Sequence, residues 1–333
     1  MSLVATAARR FAALDSQRIL AVVLLVSLVT IFASQFPVFL SMRSTFSILE
    51  GFAVIGLVAL ALTVTIVAGE IDLSIGSVAA LSGVIVVQLM EPLGPVLAIL
   101  AAVTAGLLIG LLQGYLVYRL QIQAIVLTIG TLVLFRGLSL VAAGEKTVSL
   151  TDFETSDFIQ TRLLVFSPAS LLVIALFVGV GLFLKFNHYA REIYAVGGAR
   201  REALAAGVPL MRPMMITFAL SGTCAGLVGV IVALRSGSAQ PLGLQDLLLA
   251  GVTAAFVGGA HVMGGRGSAA GAAIGGLTIQ ILTNGMNFYL APAYVVGLAL
   301  GVLLMVVVLF QLVSDLVERQ KTGRTRRAAM HHR

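Results

Sequence analysis

Two carboxylates stand close together, Glu70 and Asp72, in the stretch Gly-Glu-Ile-Asp-Leu-Ser-Ile-Gly-Ser at 69–77, and the residues on either side, 46–68 and 78–90, are almost wholly apolar. A carboxylate at membrane depth costs roughly 2.5 kcal/mol or more, so a sequence keeps one where it faces a polar path, a partner or a proton relay. The alternative is a short polar turn at the cytoplasmic surface with both carboxylates in water. The residues alone leave both interpretations open.

The backbone around these carboxylates is expected to break between two helices. Non-helical backbone is tolerated at membrane depth only where it is buried in protein or lines a water-filled cavity. Gly69 and Gly76 permit a bend because glycine adopts conformations closed to other residues. The side-chain oxygen of Asp72 or Ser74 can then cap the following helix.

The composition predicts an integral membrane protein built of helices. Of the 333 residues 59% are hydrophobic and 11% charged, and the mean hydropathy is +1.08. The apolar windows of about 20 residues match the length of helix that crosses a bilayer, and they lack the alternation of barrel strands. A net charge of +7 can indicate a nucleic-acid partner, but here the positions of the charges fit membrane orientation better, and no nucleic-acid partner is expected.

Ten membrane spans fit the hydropathy, and the fold is predicted to be an all-α bundle. The spans fall near 19–39, 46–68, 74–90, 95–117, 123–142, 168–186, 213–234, 246–262, 268–285 and 293–313. Eight spans are the alternative, because the two short segments 246–262 and 268–285 can also re-enter from one side.

The basic residues set the orientation. With the amino terminus in the cytoplasm, sixteen of the 21 lysines and arginines fall inside, four fall outside and Arg136 lies within a span. This asymmetry predicts cytoplasmic termini and an even number of spans. The expected domains are a basic amino terminus (1–18), one transmembrane domain (19–313) and a basic tail (314–333). The first apolar run is too long for a cleaved signal peptide and is expected to be retained.

Two loops between the spans carry most of the remaining charge. The external loop 144–167 is acidic, with apolar residues between its charges, and is expected either to dock a soluble partner or simply to connect two spans. In the cytoplasmic loop 187–212, Gly197 and Gly198 precede eight helix formers at 199–206, and a further glycine follows. Glycine on both sides predicts a short bounded helix. A helix of this length is marginal alone, which favours a partner surface.

The glycine-rich loop 258–268 invites comparison with a phosphate-binding loop, but the motif is absent. The chain has three lysines, Lys146, Lys185 and Lys321, and none follows a glycine. His261 has no metal-ligating companions nearby, and no Gly-x-Ser-x-Gly elbow of a hydrolase occurs. We therefore expect neither a cofactor, a metal site nor an enzyme.

Four ordered stretches resemble the permease subunits of ribose-type ABC sugar importers. Residues 69–77 are similar to the signature Gly-Gly-Ile-Asp-Leu-Ser-x-Gly-Ser of that family. The other matches are Gln-Ala-Ile-Val-Leu-Thr-Ile-Gly-Thr at 123–131 with Arg136-Gly137, Ile-Tyr-Ala-Val-Gly-Gly at 193–198 with Gly207-Val208, and Gly258-Gly259, Gly264-Gly265-Arg266-Gly267-Ser268 and Asn284-Gly285. Ala199 stands where the family usually has asparagine, and Leu248-Leu249-Ala250 where many members have Glu-Leu-Asp.

The resemblance implies a transport subunit in the inner membrane of a bacterium. It would pair with a second permease copy or a paralogue, with two cytoplasmic ATPase subunits and with an external sugar-binding protein, and the substrate would be a monosaccharide or a related neutral polyol. We expect a substrate pathway with Glu70, Asp72, Ser74, Thr128, Arg136 and Asn284; hinge or packing glycines Gly69, Gly76, Gly258, Gly259, Gly264, Gly265 and Gly267; and ATPase coupling through Gly197, Gly198, Arg200, Arg201, Glu202, Ala203 and Gly207.

A proton-coupled secondary transporter is the alternative function, with Glu70 or Asp72 as the proton carrier. The glycine-bounded cytoplasmic helix and the lack of an evident inverted repeat between the halves of the chain count against it.

Overall fold

The computed structural model describes residues 2–330 apart from 152, 243 and 245, and it describes side chains within 19–314 of that range. This part of the chain is helical except for two short strands. Its helices are α1 (Ser2–Gln35), α2 (Met42–Val67), α3 (Ile75–Leu120), α4 (Ala124–Ala143), α5 (Glu154–Gln160), α6 (Pro168–Phe186), α7 (His188–Gly198), α8 (Arg200–Ala205), α9 (Met211–Ser236), α10 (Asp246–Val257), α11 (Ala269–Phe288) and α12 (Ala293–Met330). The strands are β1 (Val148–Ser149) and β2 (Ser238–Ala239).

Six of the described helices are long and apolar enough to cross a membrane. They are α2, α3, α4, α6, α9 and residues 293–314 of α12, while residues 19–35 of α1 and all of α10 are apolar but shorter. The prediction of an all-helical membrane protein is therefore confirmed. The number of ten crossings and the side on which the termini lie stay predictions.

The longest helix, α3, folds back on itself at Gly94. This glycine has φ +75° and ψ 167°, which interrupts the helix between two arms, 75–93 and 95–120. The side chain of Gln113 in the second arm reaches Ser74 at the start of the first, with 2.8 Å between Nε2 and Oγ. In a straight helix these residues would lie about 58 Å apart, at 1.5 Å per residue. Residues 91–95 therefore form the turn of a helical hairpin.

Helix α9 packs against both arms of α3 through glycines. In the first arm of α3, Gly83 lies against Gly229 of α9. In the second arm, Gly106 and Gly110 contact Gly222 of α9. A Cβ atom added at Gly222 would collide with the carbonyl oxygen of Gly106. These glycines therefore form a close helix contact within the chain, where small residues let two backbones approach.

Helix α2 forms the centre of the bundle. In its most apolar window, 94% of the residues are buried, compared with 22% for the corresponding windows of α3 and α4. It packs against α6, α9, α10 and α11. Because α2 is apolar on all sides, it is suited to this enclosed position.

The loop 144–167 is folded onto the rest of the protein. Its strand β1 pairs with β2, which directly follows α9. The hydroxyl of Ser156 in α5 is buried and donates to the carbonyl oxygen of Leu234 at 2.6 Å. The loop is thus fastened to the end of α9.

The loop 187–212 contains the predicted short helix and a second one. The expected helix at 199–206 is α8, Arg200–Ala205, and Gly207 follows it with φ +82°. Gly197 and Gly198, expected to precede the helix as a linker, are instead the last residues of α7. Asn187 caps α7 by accepting from the backbone N–H of Tyr189 at 2.9 Å, a local signal that the interpretation of the sequence overlooked.

Candidate functional site

The loop between α2 and α3 bends in residues 68–74. Gly69 has φ +81°, and the N–H of Glu70 bonds back to the carbonyl oxygen of Thr65 at 3.0 Å, which closes the last turn of α2. Gly76 lies inside the first turn of α3, so it is not part of the bend that the sequence predicted there. The bend depends on Gly69.

Asp72 is the buried centre of this loop, with 1% of its surface exposed. Its Oδ1 accepts from the N–H of Ser74 at 2.9 Å and from the Ser74 hydroxyl at 2.7 Å, and its Oδ2 accepts from the Ser221 hydroxyl of α9 at 2.7 Å. Burial raises the pKa of the Asp72 carboxyl above its ordinary value, and the hydrogen bonds from Ser74 and Ser221 oppose that rise. Asp72 therefore holds the residue before α3 in an Asx turn, and the side-chain cap of α3 that was predicted for Asp72 or Ser74 is absent.

Gln113 extends this network to α4. Its Nε2 donates to Ser74 Oγ and to Thr131 Oγ1, each at 2.8 Å. Thr128, one turn earlier on α4, donates from its hydroxyl to the carbonyl oxygen of Ile71 at 3.3 Å. The loop is therefore joined by side-chain hydrogen bonds to the second arm of α3, to α4 and to α9. Sequence analysis did not single out Gln113 or Ser221, because the signal, a polar residue within an apolar span, is common in such helices.

Glu70 connects the same loop to α8. Its Oε1 lies 2.8 Å from Nη1 of Arg200, the first residue of α8, and its Oε2 accepts from the N–H of Ala124, the first residue of α4, at 3.2 Å. A carboxylate at a helix amino terminus satisfies a free N–H group and complements the helix dipole. Glu70 is 7% exposed. The interpretation in which Glu70 and Asp72 lie in water is thus wrong.

Three loops meet at glycines beside Glu70. The N–H of Gly265 donates to the carbonyl oxygen of Val67 at 2.9 Å. Gly197 lies against the end of α2, and an added Cβ at Gly264 would come within 2.9 Å of the Cα of Gly69. A side chain at any of these positions would push the loops apart. The glycines of these three loops that meet in one contact region are Gly69, Gly197, Gly198, Gly264 and Gly265.

The rest of the predicted hinge and coupling residues fall around this region. Gly258 packs against Gly271 of α11, and Gly259 and Gly267 have positive φ. Ala203 is buried on α8, whereas Arg201 and Glu202 are exposed.

Two of the predicted pathway residues lie elsewhere. Arg136 is exposed on α4, two turns beyond Thr128. Asn284 of α11 donates to the hydroxyl of Ser44 at 3.2 Å, near the start of α2 and thus at the opposite end from Asp72. Glu70, Asp72, Ser74 and Thr128 are the pathway residues that the fold brings together.

A third buried carboxylate, which sequence analysis missed, lies near the other end of α2. Glu50 is 4% exposed, and its Oε2 is 3.3 Å from Nε of Arg235 at the end of α9. Nη1 of Arg235 also donates to the Glu50 carbonyl oxygen at 2.8 Å, and the Ser167 hydroxyl bonds to Oε1. Ser167 caps α6, so this cluster joins three helices. The sequence signal that could have identified this cluster was the charged residue Glu50 within the predicted span 46–68.

The arrangement holds helices together and links them to an exposed short helix, and within the described residues no group of three or more metal-ligating side chains occurs. Multiple apolar helices around buried polar networks, with a short helix joined to their loop, define a multi-pass membrane protein of the transport-permease class.

The chain belongs to the family described as branched-chain amino acid transport system / permease component, which matches residues 44–309. It is 30% identical to the ribose import permease protein RbsC of Bacillus subtilis (strain 168), over 82% of this chain and 86% of the relative. It is 30% identical to the D-allose transport system permease protein AlsC of Escherichia coli (strain K12), over 86% and 88%. It is 31% identical to the autoinducer 2 import system permease protein LsrD of Escherichia coli O9:H4 (strain HS), over 92% and 94%. No solved structure matches the chain.

These relatives confirm the resemblance to ribose-type importer permeases and the interpretation of the chain as a permease component.

Proposed function

We propose that the chain is the membrane-spanning permease subunit of a bacterial ABC importer. It carries a monosaccharide or a related neutral polyol inward across the inner membrane, and ATP is hydrolysed on partner subunits. Membership of the permease family supports the class, and the ribose, allose and autoinducer 2 importer relatives support the kind of substrate.

The contact between α8 and the loop 68–74 is the observation that carries this proposal. One face of α8 turns inward, with Ala203 buried and Arg200 paired to Glu70. The other face is free for an ATPase subunit, with Arg201 and Glu202 exposed and Leu204 49% exposed. A displacement of α8 by the ATPase would be passed to Glu70 and from there to the start of α4.

The transport cycle needs a few segments of the chain that can adopt two conformations. We assign this role to the loops 69–77 and 258–268, whose glycines meet beside α8. The hydrogen bonds of Asp72 and Gln113 would make α4, α9 and the second arm of α3 follow the loop. Hinges of this kind absorb changes of φ and ψ at a few residues while the helices move as rigid bodies.

The proposed topology has ten crossings, formed by residues 19–313, with both termini in the cytoplasm. The hairpin at Gly94 supports counting α3 as two crossings. The break 68–74, the loop 258–268 and α8 lie together, which supports placing all three on the cytoplasmic side. The loop 144–167 then faces outward, where an external binding protein would dock, and a second permease subunit would complete the pathway.

Uptake of labelled D-ribose and D-allose by cells with and without the chain tests the function. We expect uptake of at least one sugar to require the chain and the ATPase of its transport system, and to continue when a protonophore dissipates the proton gradient while ATP is maintained. Uptake that stops with the gradient, or that continues without the ATPase, would contradict the proposal and favour the proton-coupled alternative.

A further inference from the structure

A groove of about 530 Å³ runs between α6 and α9 on the outside of the bundle. It is lined by apolar side chains of both helices and by Gly179, among them Leu172, Leu176 and Phe183 of α6 and Ile216 and Leu220 of α9. Because every lining residue is apolar, the part of an occupant that lies in the groove must be hydrocarbon.

The groove runs toward a cationic end. Along α6 it ends at Phe183, and along α9 it ends at Ile216, so both helices lead to the point where α7 begins. Residues 212, 216 and 220 follow one another at intervals of four, so Arg212 lies on the groove face of α9, one turn beyond Ile216. Arg212 is exposed, and its Cζ lies 6.0 Å from the centre of the Tyr189 ring in α7.

A second cation stands at the same end. Lys185 is exposed in the last turn of α6, and its Nζ lies 5.1 Å from the centre of the Phe186 ring. The change from apolar groove to cations and aromatic rings takes place within one helical turn. This sequence of environments matches the boundary between acyl chains and headgroups, where aromatic and basic side chains collect.

We propose that the groove binds an acyl chain of an anionic phospholipid, with the lipid phosphate at Arg212. Lys185 follows Phe183 by two residues and so lies on the other side of α6, where it adds positive charge at the same end of the helix. A guanidinium presents paired N–H donors that fit phosphate oxygens, and basic pockets between membrane helices on the cytoplasmic side bind anionic headgroups. The inference rests on the proposed topology, which places α7 at the cytoplasmic leaflet. A second copy of the chain seated in the groove would have to bring an acidic group to Arg212, and this charge requirement favours the lipid.

Native mass spectrometry of the purified full-length chain, with phosphatidylglycerol or phosphatidylcholine added in equal amounts, tests the site. We expect phosphatidylglycerol to be retained several-fold more than phosphatidylcholine. The double variant Arg212→Gln, Lys185→Gln should remove this preference. Arg43→Gln is the matched control, because Arg43 is an exposed cation at the start of α2, whereas the other end of α2 is the one that contacts α7, and it should keep the preference.

A second variant tests the apolar part. Gly179 has no atom within 4 Å of an added Cβ, so Gly179→Leu should fold and fill the groove, and it should lower the retention of both lipids. Gly137→Leu, at an equally open and exposed position of α4, should not. Equal retention of the two lipids by the unmodified chain would overturn the proposal. The proposal would also be overturned if the Gly179→Leu variant no longer formed a dimer but still retained phosphatidylglycerol. That result would assign the groove to a second copy of the chain. Lipid retention is measured without transport, so a negative result would reject the lipid site and leave the proposed transport function untouched.

Discussion

Nη1 of Arg200 lies 2.8 Å from Oε1 of Glu70, and this ion pair joins α8 to the loop between α2 and α3. The carboxylate is 7% exposed and the arginine side chain 40%. Glu70 stands where the family signature has a second glycine, so a small, flexible position has become a charged contact in this chain. The pair is therefore a feature of this chain that the family signature does not require.

Removal of the Arg200 charge should weaken both stability and coupling. Arg200→Gln leaves Glu70 buried with the amino terminus of α4 as its remaining partner. Because the pair is partly exposed, we expect a loss of about 1–2 kcal/mol, between the values for surface and buried pairs. Thermal denaturation in detergent and the amount of sugar taken up per ATP hydrolysed are the measurements.

A double-mutant cycle with Glu70→Gln gives the control for this pair. If the two side chains act through each other, the double variant should lose less than the sum of the single losses. Arg43→Gln, at an exposed position at the opposite end of α2 from Glu70, should change neither measurement. Additive losses at Arg200 and Glu70 would contradict the coupling role.

Replacement of Asp72 should destabilise the loop more than replacement of its partner. Asp72→Ala leaves three donors without their acceptor, the Ser74 N–H and the hydroxyls of Ser74 and Ser221. Each unsatisfied buried group costs about 1–3 kcal/mol, so we expect severe loss of folded protein, with Ser221→Ala much milder. Size-exclusion profiles in detergent measure this. An Asp72→Ala protein as stable as the unmodified chain would show that the network does not hold the loop.

The contact between α3 and α9 should not tolerate a larger residue. Gly222→Val would place methyl groups against the Gly106 carbonyl oxygen, and overpacking of this kind costs about 1–3 kcal/mol. Gly137→Val adds the same side chain where no atom lies within 4 Å. The first variant should melt at a lower temperature than the second. Equal melting temperatures of the two variants would contradict a close contact between α3 and α9 that contributes to stability.

Labelling of single cysteines tests the proposed topology. The one native cysteine, Cys224, is 2% exposed and should not react. A membrane-impermeant maleimide should label Leu93→Cys, in the turn of the α3 hairpin, from outside, and Arg201→Cys only from the cytoplasmic side. The reverse pattern would invert the proposed orientation.

The apolar windows of the sequence locate the helices well. The ten predicted spans coincide with nine described helices, because two of the spans are the arms of α3, and the glycines on both sides of 199–206 identified α8. Composition acts locally through backbone propensity and hydrophobicity, so a single sequence contains that information. Six described helices are long and apolar enough to cross a membrane; α3 counts once among them, and residues 19–35 of α1 and all of α10 are shorter.

The partners of the buried polar groups could not be predicted in the same way. The pairing of Glu70 with Arg200 joins residues 130 positions apart, and that of Glu50 with Arg235 joins residues 185 apart. No local pattern specifies such contacts, because they depend on how the helices pack. For the same reason Arg136 and Asn284, chosen for their polarity, lie away from the Asp72 network.

The two carboxylate–arginine pairs have a mechanical consequence for α2. Glu50 and Val67 are separated by 17 helical residues, or about 26 Å, close to the thickness of the hydrocarbon layer. Near one end of α2, Glu50 pairs with Arg235. Just past the other end, Glu70 pairs with Arg200. These contacts oppose sliding of α2 along its own axis and restrain tilting less. If the chain transports substrate as proposed, we expect the substrate passage to widen and narrow as α2 tilts.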